Sequence, residues 1–262
     1  MSEQLRQIGS YLGHLVKARS RHGVHSPFVY DLTEKVLRPQ PALPEHLAIE
    51  SLRDDLLRSD QTIRVNDLGA GSHVLDLPVR RVSDIARTAL KGPRQAQLLF
   101  RLARYFRPKH VLELGTSFGI STLYLARGAD EGVVHTIEGC PQTYRIALHH
   151  FEQVRQHNIV PVLGSFQRRL PELLAKIGRL DLVFIDGHHA KQPTLDYFEQ
   201  CLAHAHEDTV FILDDIHWSR GMEEAWSELK EHPRVTVSAD LYNMGLLFLR
   251  SGQAKEHFRL KY

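Results

Sequence analysis

The 262-residue sequence predicts an α/β protein: a mostly parallel sheet of seven strands whose last strand runs antiparallel, preceded by a helical amino-terminal appendage. Three observations predict it. From His110 onward, short apolar runs alternate with longer amphipathic ones, the pattern of parallel strands joined by crossover helices. The last two runs are too close together for a crossover, so the chain must reverse between them. Before His110, apolar residues recur mainly at helical spacing.

In the appendage, Leu5, Ile8, Leu12, Leu15 and Val16 mark a first helix. Ser26 and Pro27 supply the cap and first residue of a second, which stops near Pro39. A third candidate covers 44–58, with Leu47, Leu52 and Leu56 available for one face. Helical patterns at 82–90 and 94–106 precede the sheet, whose strands are read at 110–114, 133–138, 160–164, 180–186, 209–215, 234–240 and 244–250. This reading divides the chain into an appendage or lid (1–90), an α/β domain (91–250) and a tail (251–262).

Composition is that of an ordinary globular protein, 42% hydrophobic and 24% charged. Residues 1–20 lack a signal-peptide core, and no run approaches the ~20 apolar residues that cross a bilayer, so a cytoplasmic protein without a membrane role is expected. Cys140 and Cys201 have neither the number nor the spacing of a disulfide framework or zinc site and read as buried thiols. A net charge of +2 argues against a dedicated nucleic-acid binder, yet residues 80–109 carry nine basic side chains against one acid. That segment reads either as solvated helix faces, since Arg94, Arg101, Arg104 and Arg107 flank Leu98, Leu99, Leu102 and Phe106, or as an attraction for an anionic substrate or partner.

Two stretches end an apolar run in an acid and Leu-Gly: IRVNDLGAGS (63–72) and HVLELGTSFGIS (110–121). Both can break a buried strand into a turn that admits a ligand. Only the second is followed by one helix and then a strand ending in an acid, Glu138, 25 residues after Glu113, where a carboxylate can accept both hydroxyls of a ribose. The second stretch is therefore the cradle. Its glycines, Gly115 and Gly119, are separated by Thr116, Ser117 and Phe118, so the middle glycine that lets a dinucleotide's pyrophosphate approach is missing.

Five motifs in order, ELGTSFGIS (113–121), HTIEG (135–139), VLGSF (162–166), DLVFIDGHH (181–189) and FILDDIHW (211–218), resemble the class I S-adenosylmethionine-dependent methyltransferases, in their catechol-type O-methyltransferase branch, over roughly 91–250. The resemblance implies a Rossmann-like fold and S-adenosylmethionine as cofactor. It implies that Glu113, Gly115, Thr116, Ser117 and Gly119 form the cofactor loop, that Ser121 binds the methionine carboxylate, that Glu138 binds the ribose and that Ser165 lies near the adenine. Ser121 can also be read as a helix cap and Ser165 as an ordinary turn serine.

Catechol-type relatives bind magnesium through Asp, Asp and Asn; the matching positions here are Asp186, Asp214 and Asp215, so the third ligand departs from the pattern. Converging carboxylates repel unless they share protons or hold a cation, which supports Mg²⁺ or another divalent ion. The alternative is structural: Asp214 bonding a neighbouring loop, Asp215 capping the helix that follows, and Asp186 meeting the cofactor alone. Where relatives keep a catalytic lysine this chain has His189, the candidate base beside Asp186, with His188, His217 and Lys191 as alternatives.

The implied activity is methyl transfer to a hydroxyl of a small molecule, anionic if the basic segment meets it. The rivals are an RNA or protein methyltransferase docking through 80–109, a non-catalytic cofactor-binding module, and, last, a nicotinamide oxidoreductase. The appendage would either cover the site or pack on outer helices or a partner subunit in a homodimer.

Overall fold

The computed structural model describes residues 3–18, 25–41, 43–65 and 79–262. In chain order it begins with helix α1 (Glu3–Lys17) and helix α2 (Pro27–Leu32), which continues as a wide π turn over Thr33–Leu37. A single 3₁₀ turn, Pro44–His46, leads into α3 (Leu47–Arg58). Two short strands follow, β1 (Thr62–Arg64) and β2 (Val79–Arg81), then α4 (Val82–Ala89) and α5 (Pro93–Phe106). The alternation predicted from His110 comes next: β3 (His110–Leu114), α6 (Ile120–Gly128), β4 (Val133–Glu138), α7 (Pro141–Gln153), β5 (Ile159–Leu163) and α8 (Phe166–Ile177). It continues with β6 (Leu180–Ile185), α9 (Lys191–Leu202), β7 (Ala205–Asp214) and α10 (Arg220–Glu231), and closes with β8 (Val237–Asp240), β9 (Met244–Phe248) and β10 (Glu256–Arg259).

The chain divides into two compact units, 39–177 and 1–38 with 178–262. In the first, β3, β4 and β5 are parallel neighbours, with Leu114 opposite Ile137 and Glu138 opposite Leu163. The register delivers successive strand ends together, so the loop after β3 emerges beside Glu138. A core of Ile49, Leu52, Phe100, Phe118, Tyr124 and Phe151 binds α3, α5, α6 and α7 in this unit. β1 and β2 form a separate antiparallel pair, Ile63 opposite Arg80.

In the second unit the strand order is β10-β8-β9-β7-β6. β6 and β7 are parallel, Ile185 opposite Leu213, while β9 runs antiparallel to both β7 and β8. The predicted reversal after the sixth sheet strand is thus present. Trp226 of α10 packs so closely on Gly245 of β9 that a Cβ there would collide with its ring, which fixes glycine in the strand.

Three short strands were not expected: β1, β2 and β10. β10 adds an eighth strand, parallel to β8 with Phe258 opposite Ala239, to the seven predicted. Its sequence, EHFR, has one apolar residue and so carries no alternating pattern that the sequence alone could reveal. In α1, Ile8, Leu12, Leu15 and Val16 of the stripe that marked the helix are exposed, and His14 is buried. No described helix is long and apolar enough to cross a membrane.

Candidate functional site

The cradle of residues 39–177 is built by backbone as much as by side chains. After β3 the chain turns through Gly115 (φ 107°), Ser117 (φ 49°) and Gly119 (φ 84°). A Cβ on Gly119 would lie 2.5 Å from the Phe151 ring, so this glycine is required both by its left-handed backbone and by the packing behind it. Gly119 is also the N-cap of α6. Ser121 therefore lies inside the first turn, buried at 8% exposure, and does not cap the helix.

Glu138 ties this loop down. One carboxylate oxygen accepts the Ser117 N–H at 2.7 Å and the other accepts the Cys140 N–H at 2.8 Å. Burial pushes its pKa up, and the N–H groups of Cys140, Ser117 and Gly139, with the Thr143 hydroxyl, pull it back. The Ser117 and Cys140 N–H groups make its hydrogen bonds, one to each oxygen, and the Thr143 hydroxyl donates to the Cys140 carbonyl, so the carboxylate has acceptor capacity left for ribose hydroxyls. Those acceptors, together with a loop of small residues, fit S-adenosylmethionine.

Glu113 stands elsewhere. Fully buried, it accepts the Thr122 hydroxyl at 2.5 Å and the Thr136 hydroxyl at 2.7 Å, and Thr136 in turn meets Thr116 at 2.5 Å. Glu113 and Thr116 thus belong to a polar network beneath the loop that joins β3, β4 and α6. The three threonines that complete it with Glu113 gave the sequence reading little signal, because isolated threonines are common. Ser165 offers its backbone carbonyl to the Arg168 and Arg169 N–H groups at the start of α8.

The acid cluster lies in the other unit. Because Ile185 opposes Leu213, the next residue of each strand, Asp186 and Asp214, leaves the pair side by side. Asp186, His189 and Asp214 each offer a ligand atom, all within 4.8 Å of one another. The His189 imidazole lies 3.7 Å from Asp186 and 3.9 Å from Asp215, too far for hydrogen bonds. His188 (φ 67°), His189 (φ 31°) and Asp215 (φ 53°) all occupy the left-handed region, a concentration of backbone strain typical of sites where side chains must be aimed. Two carboxylates and an imidazole suit a divalent cation. His189, read from sequence as a base, is thus also a candidate ligand.

Asp215 does not cap the following helix. Ser219 does, accepting the Met222 N–H at 3.2 Å, while the Asp215 carbonyl receives the Trp218 N–H. Of the alternative bases, Lys191 is engaged with Glu224 and Glu228, His188 with the Tyr197 hydroxyl at 2.7 Å, and His217 with Asp240 at 3.0 Å.

In the basic segment, Arg87 pairs with Asp84, Arg104 with Glu45 and Lys109 with Glu131. Arg101, expected on a solvated face, is buried at 7% exposure. Both cysteines are buried free thiols, and burial pushes the Cys201 pKa up. The DLGAGS turn lies outside the described residues.

A family model described as a methyltransferase domain matches residues 112–216, a span containing most of the cradle and the acids. The chain is 32% identical over 136 residues, 51% of its length, to a catechol O-methyltransferase of Mycobacterium tuberculosis, and 30% identical over 128 residues, 48% of its length, to a catechol O-methyltransferase of Niastella koreensis. It spans 60% and 57% of those two relatives. The solved O-methyltransferase from Bacillus cereus, in complex with SAH (S-adenosylhomocysteine), superposes with a TM-score of 0.58 at 21% identity, covering 84% of this chain and 97% of that one. That likeness establishes the Rossmann-like α/β fold. Over residues 112–216 the chain is thus similar to methyltransferase domains, and over about half its length to catechol O-methyltransferases.

Proposed function

We propose that the protein is an S-adenosylmethionine-dependent O-methyltransferase acting on a hydroxyl of a small molecule, with a divalent cation at its acid cluster. The observation that carries this reading is Glu138: a carboxylate at a strand end that holds the glycine loop through Ser117 and Cys140 yet keeps acceptor capacity for a ribose. The names of the relatives support the hydroxyl as acceptor.

S-adenosylmethionine, when bound, supplies a methyl group on a sulfonium that is already a good leaving group. The protein's part is then to hold the nucleophile in line and to take its proton. The turn from Gly115 to Gly119 lets the backbone approach the cofactor, Ser121 and Ser165 contribute polar contacts, and Glu138 orients the ribose. Asp186 and Asp214 would hold the cation, and its charge would lower the pKa of an acceptor hydroxyl. His189, flanked by Asp186 and Asp215, receives the proton on an imidazole nitrogen. Its place in the ligand group with Asp186 and Asp214 supports a second assignment, in which His189 holds the cation and the acceptor ionises without it.

Mass spectrometry of the purified protein, followed by calorimetry with S-adenosylmethionine and S-adenosylhomocysteine, tests the cofactor. A screen of catechols and other small hydroxylated acids, with and without chelator, tests the acceptor class and the cation. The two assignments of His189 separate by cation affinity: His189→Ala lowers turnover but keeps the cation if it is the base, and loses both if it is a ligand.

A further inference from the structure

We propose a second metal site, distinct from the acid cluster, in which His14, His217 and Asp240 bind one divalent ion of the zinc class. The three side chains come from α1, the turn after β7 and the end of β8, all within the unit formed by 1–38 and 178–262. Each offers a ligand atom, and the three atoms lie within 4.8 Å of one another. The His14 Nδ1 is 3.3 Å from one Asp240 oxygen and the His217 Nε2 is 3.0 Å from the other. Ligands about 2.0–2.1 Å from a tetrahedral zinc lie roughly 3.3 Å apart, so each histidine already stands near that spacing from one Asp240 oxygen.

The hydrogen atoms argue more strongly than the distances. The outer nitrogen of His14, Nε2, faces the Leu260 carbonyl at 3.4 Å. A carbonyl only accepts, so when the neutral ring carries its proton on Nε2 its Nδ1 lone pair faces the Asp240 carboxylate, which also accepts the Tyr242 N–H at 2.9 Å and lies 3.6 Å from the Arg259 guanidinium. Two acceptors then face each other at a position where His14 is 6% exposed and Asp240 4%. Nδ1 of His14 has no hydrogen-bond partner, nor has Nδ1 of His217. In that tautomer a metal ion between the two groups would satisfy both acceptors at once.

His217 completes the pattern. Its Nδ1 points to Glu223 Oε1 at 3.5 Å, so with Nε2 on a metal the Nδ1–H would face a carboxylate. Both rings would then have the outer-nitrogen partner that metal-bound histidines usually have, a carbonyl for one and a carboxylate for the other. Glu223 is itself held by Arg6 at 2.8 Å. A cavity of about 670 Å³, lined by these residues together with Lys17, Lys230 and Arg259, supplies an entry path. Its cationic rim favours an anion at the open coordination position.

The test uses the full chain, stripped of metal and titrated with Zn²⁺ in a calorimeter, with X-ray absorption of the one-equivalent complex. The Asp186/His189/Asp214 group contains one histidine and this site two, so two imidazoles around the zinc support the proposal and one or none overturns it. His14→Ala should weaken zinc binding by more than the roughly 10–100-fold that loss of an outer partner costs, whereas an Asp186→Asn, Asp214→Asn double variant should retain it. Zinc retained in folded His14→Ala, or no zinc bound by the wild type, would show that His14, Asp240 and His217 are a proton-bridged network that fastens α1.

Discussion

The cradle and the acid cluster solve opposite problems. Around Glu138, Thr116, Thr136, Thr122 and Glu113, donors and acceptors meet at 2.5–2.8 Å, and the loop is held in shape by the protein alone. Around His189 the neighbouring carboxylates stand at 3.7 and 3.9 Å, and three consecutive or nearby non-glycine residues are held at positive φ. The first region is rigid in its own hydrogen bonds, which suits the cofactor loop proposed for it. The second concentrates negative charge and strain, an arrangement that a cation would relax. Variants of the cluster should therefore cost turnover while leaving the fold and cofactor binding intact, and variants of the cradle should cost affinity or stability.

The largest effect is expected at the cluster. His189→Ala should lower turnover by roughly 10²–10⁴-fold with cofactor affinity unchanged, measured by steady-state kinetics beside calorimetry. Chelation should abolish transfer in the same way. Full activity after chelation would return Asp186 and Asp214 to a structural role. Next, Glu138→Ala should weaken S-adenosylhomocysteine by about 1.5–3 kcal/mol, the cost of a hydrogen bond to a charged acceptor. It removes the acceptor of the Ser117 N–H as well, so Glu138→Gln, which keeps one acceptor oxygen, should fall in between.

Gly119→Ala comes third. Its Cβ meets Phe151 and its backbone is left-handed, so a loss of about 1–3 kcal/mol in stability is expected from denaturant unfolding. A fourth effect is pH-dependent and belongs to unit 39–177, where burial lowers the pKa of His46, His135 and His150. A histidine whose folded pKa is depressed contributes stability present above the unfolded value of 6.5 and lost as pH falls through the folded pKa. Melting temperature should therefore drop below about pH 6, and less so in His150→Gln. The smallest effect is Asp67→Asn, which should leave cofactor affinity nearly unchanged because DLGAGS lacks a following strand that ends in an acid.

The comparison also explains what the sequence could reveal. The run of β3 to β9 was legible because each strand is an apolar run bounded by a turn, and the pairing of Asp186 with Asp214 followed from two such runs ending in acids. The place of Glu138 at the end of β4 was legible from the apolar run that it closes. The Glu113 network was not, since its threonines are scattered over three elements and meet only when β3 and β4 pair. β10 was hidden because an edge strand with one apolar residue takes its order from β8. The membership of His189 in a ligand group depends on the turn at Gly187–His189, whose positive φ values at histidine no propensity predicts.

Calorimetric titration of the purified protein with S-adenosylhomocysteine tests the central claim most directly. The account predicts one saturable site per chain, weakened by Glu138→Ala and left intact by chelation. Failure of the wild-type protein to bind, or binding of NADH in its place, would contradict it.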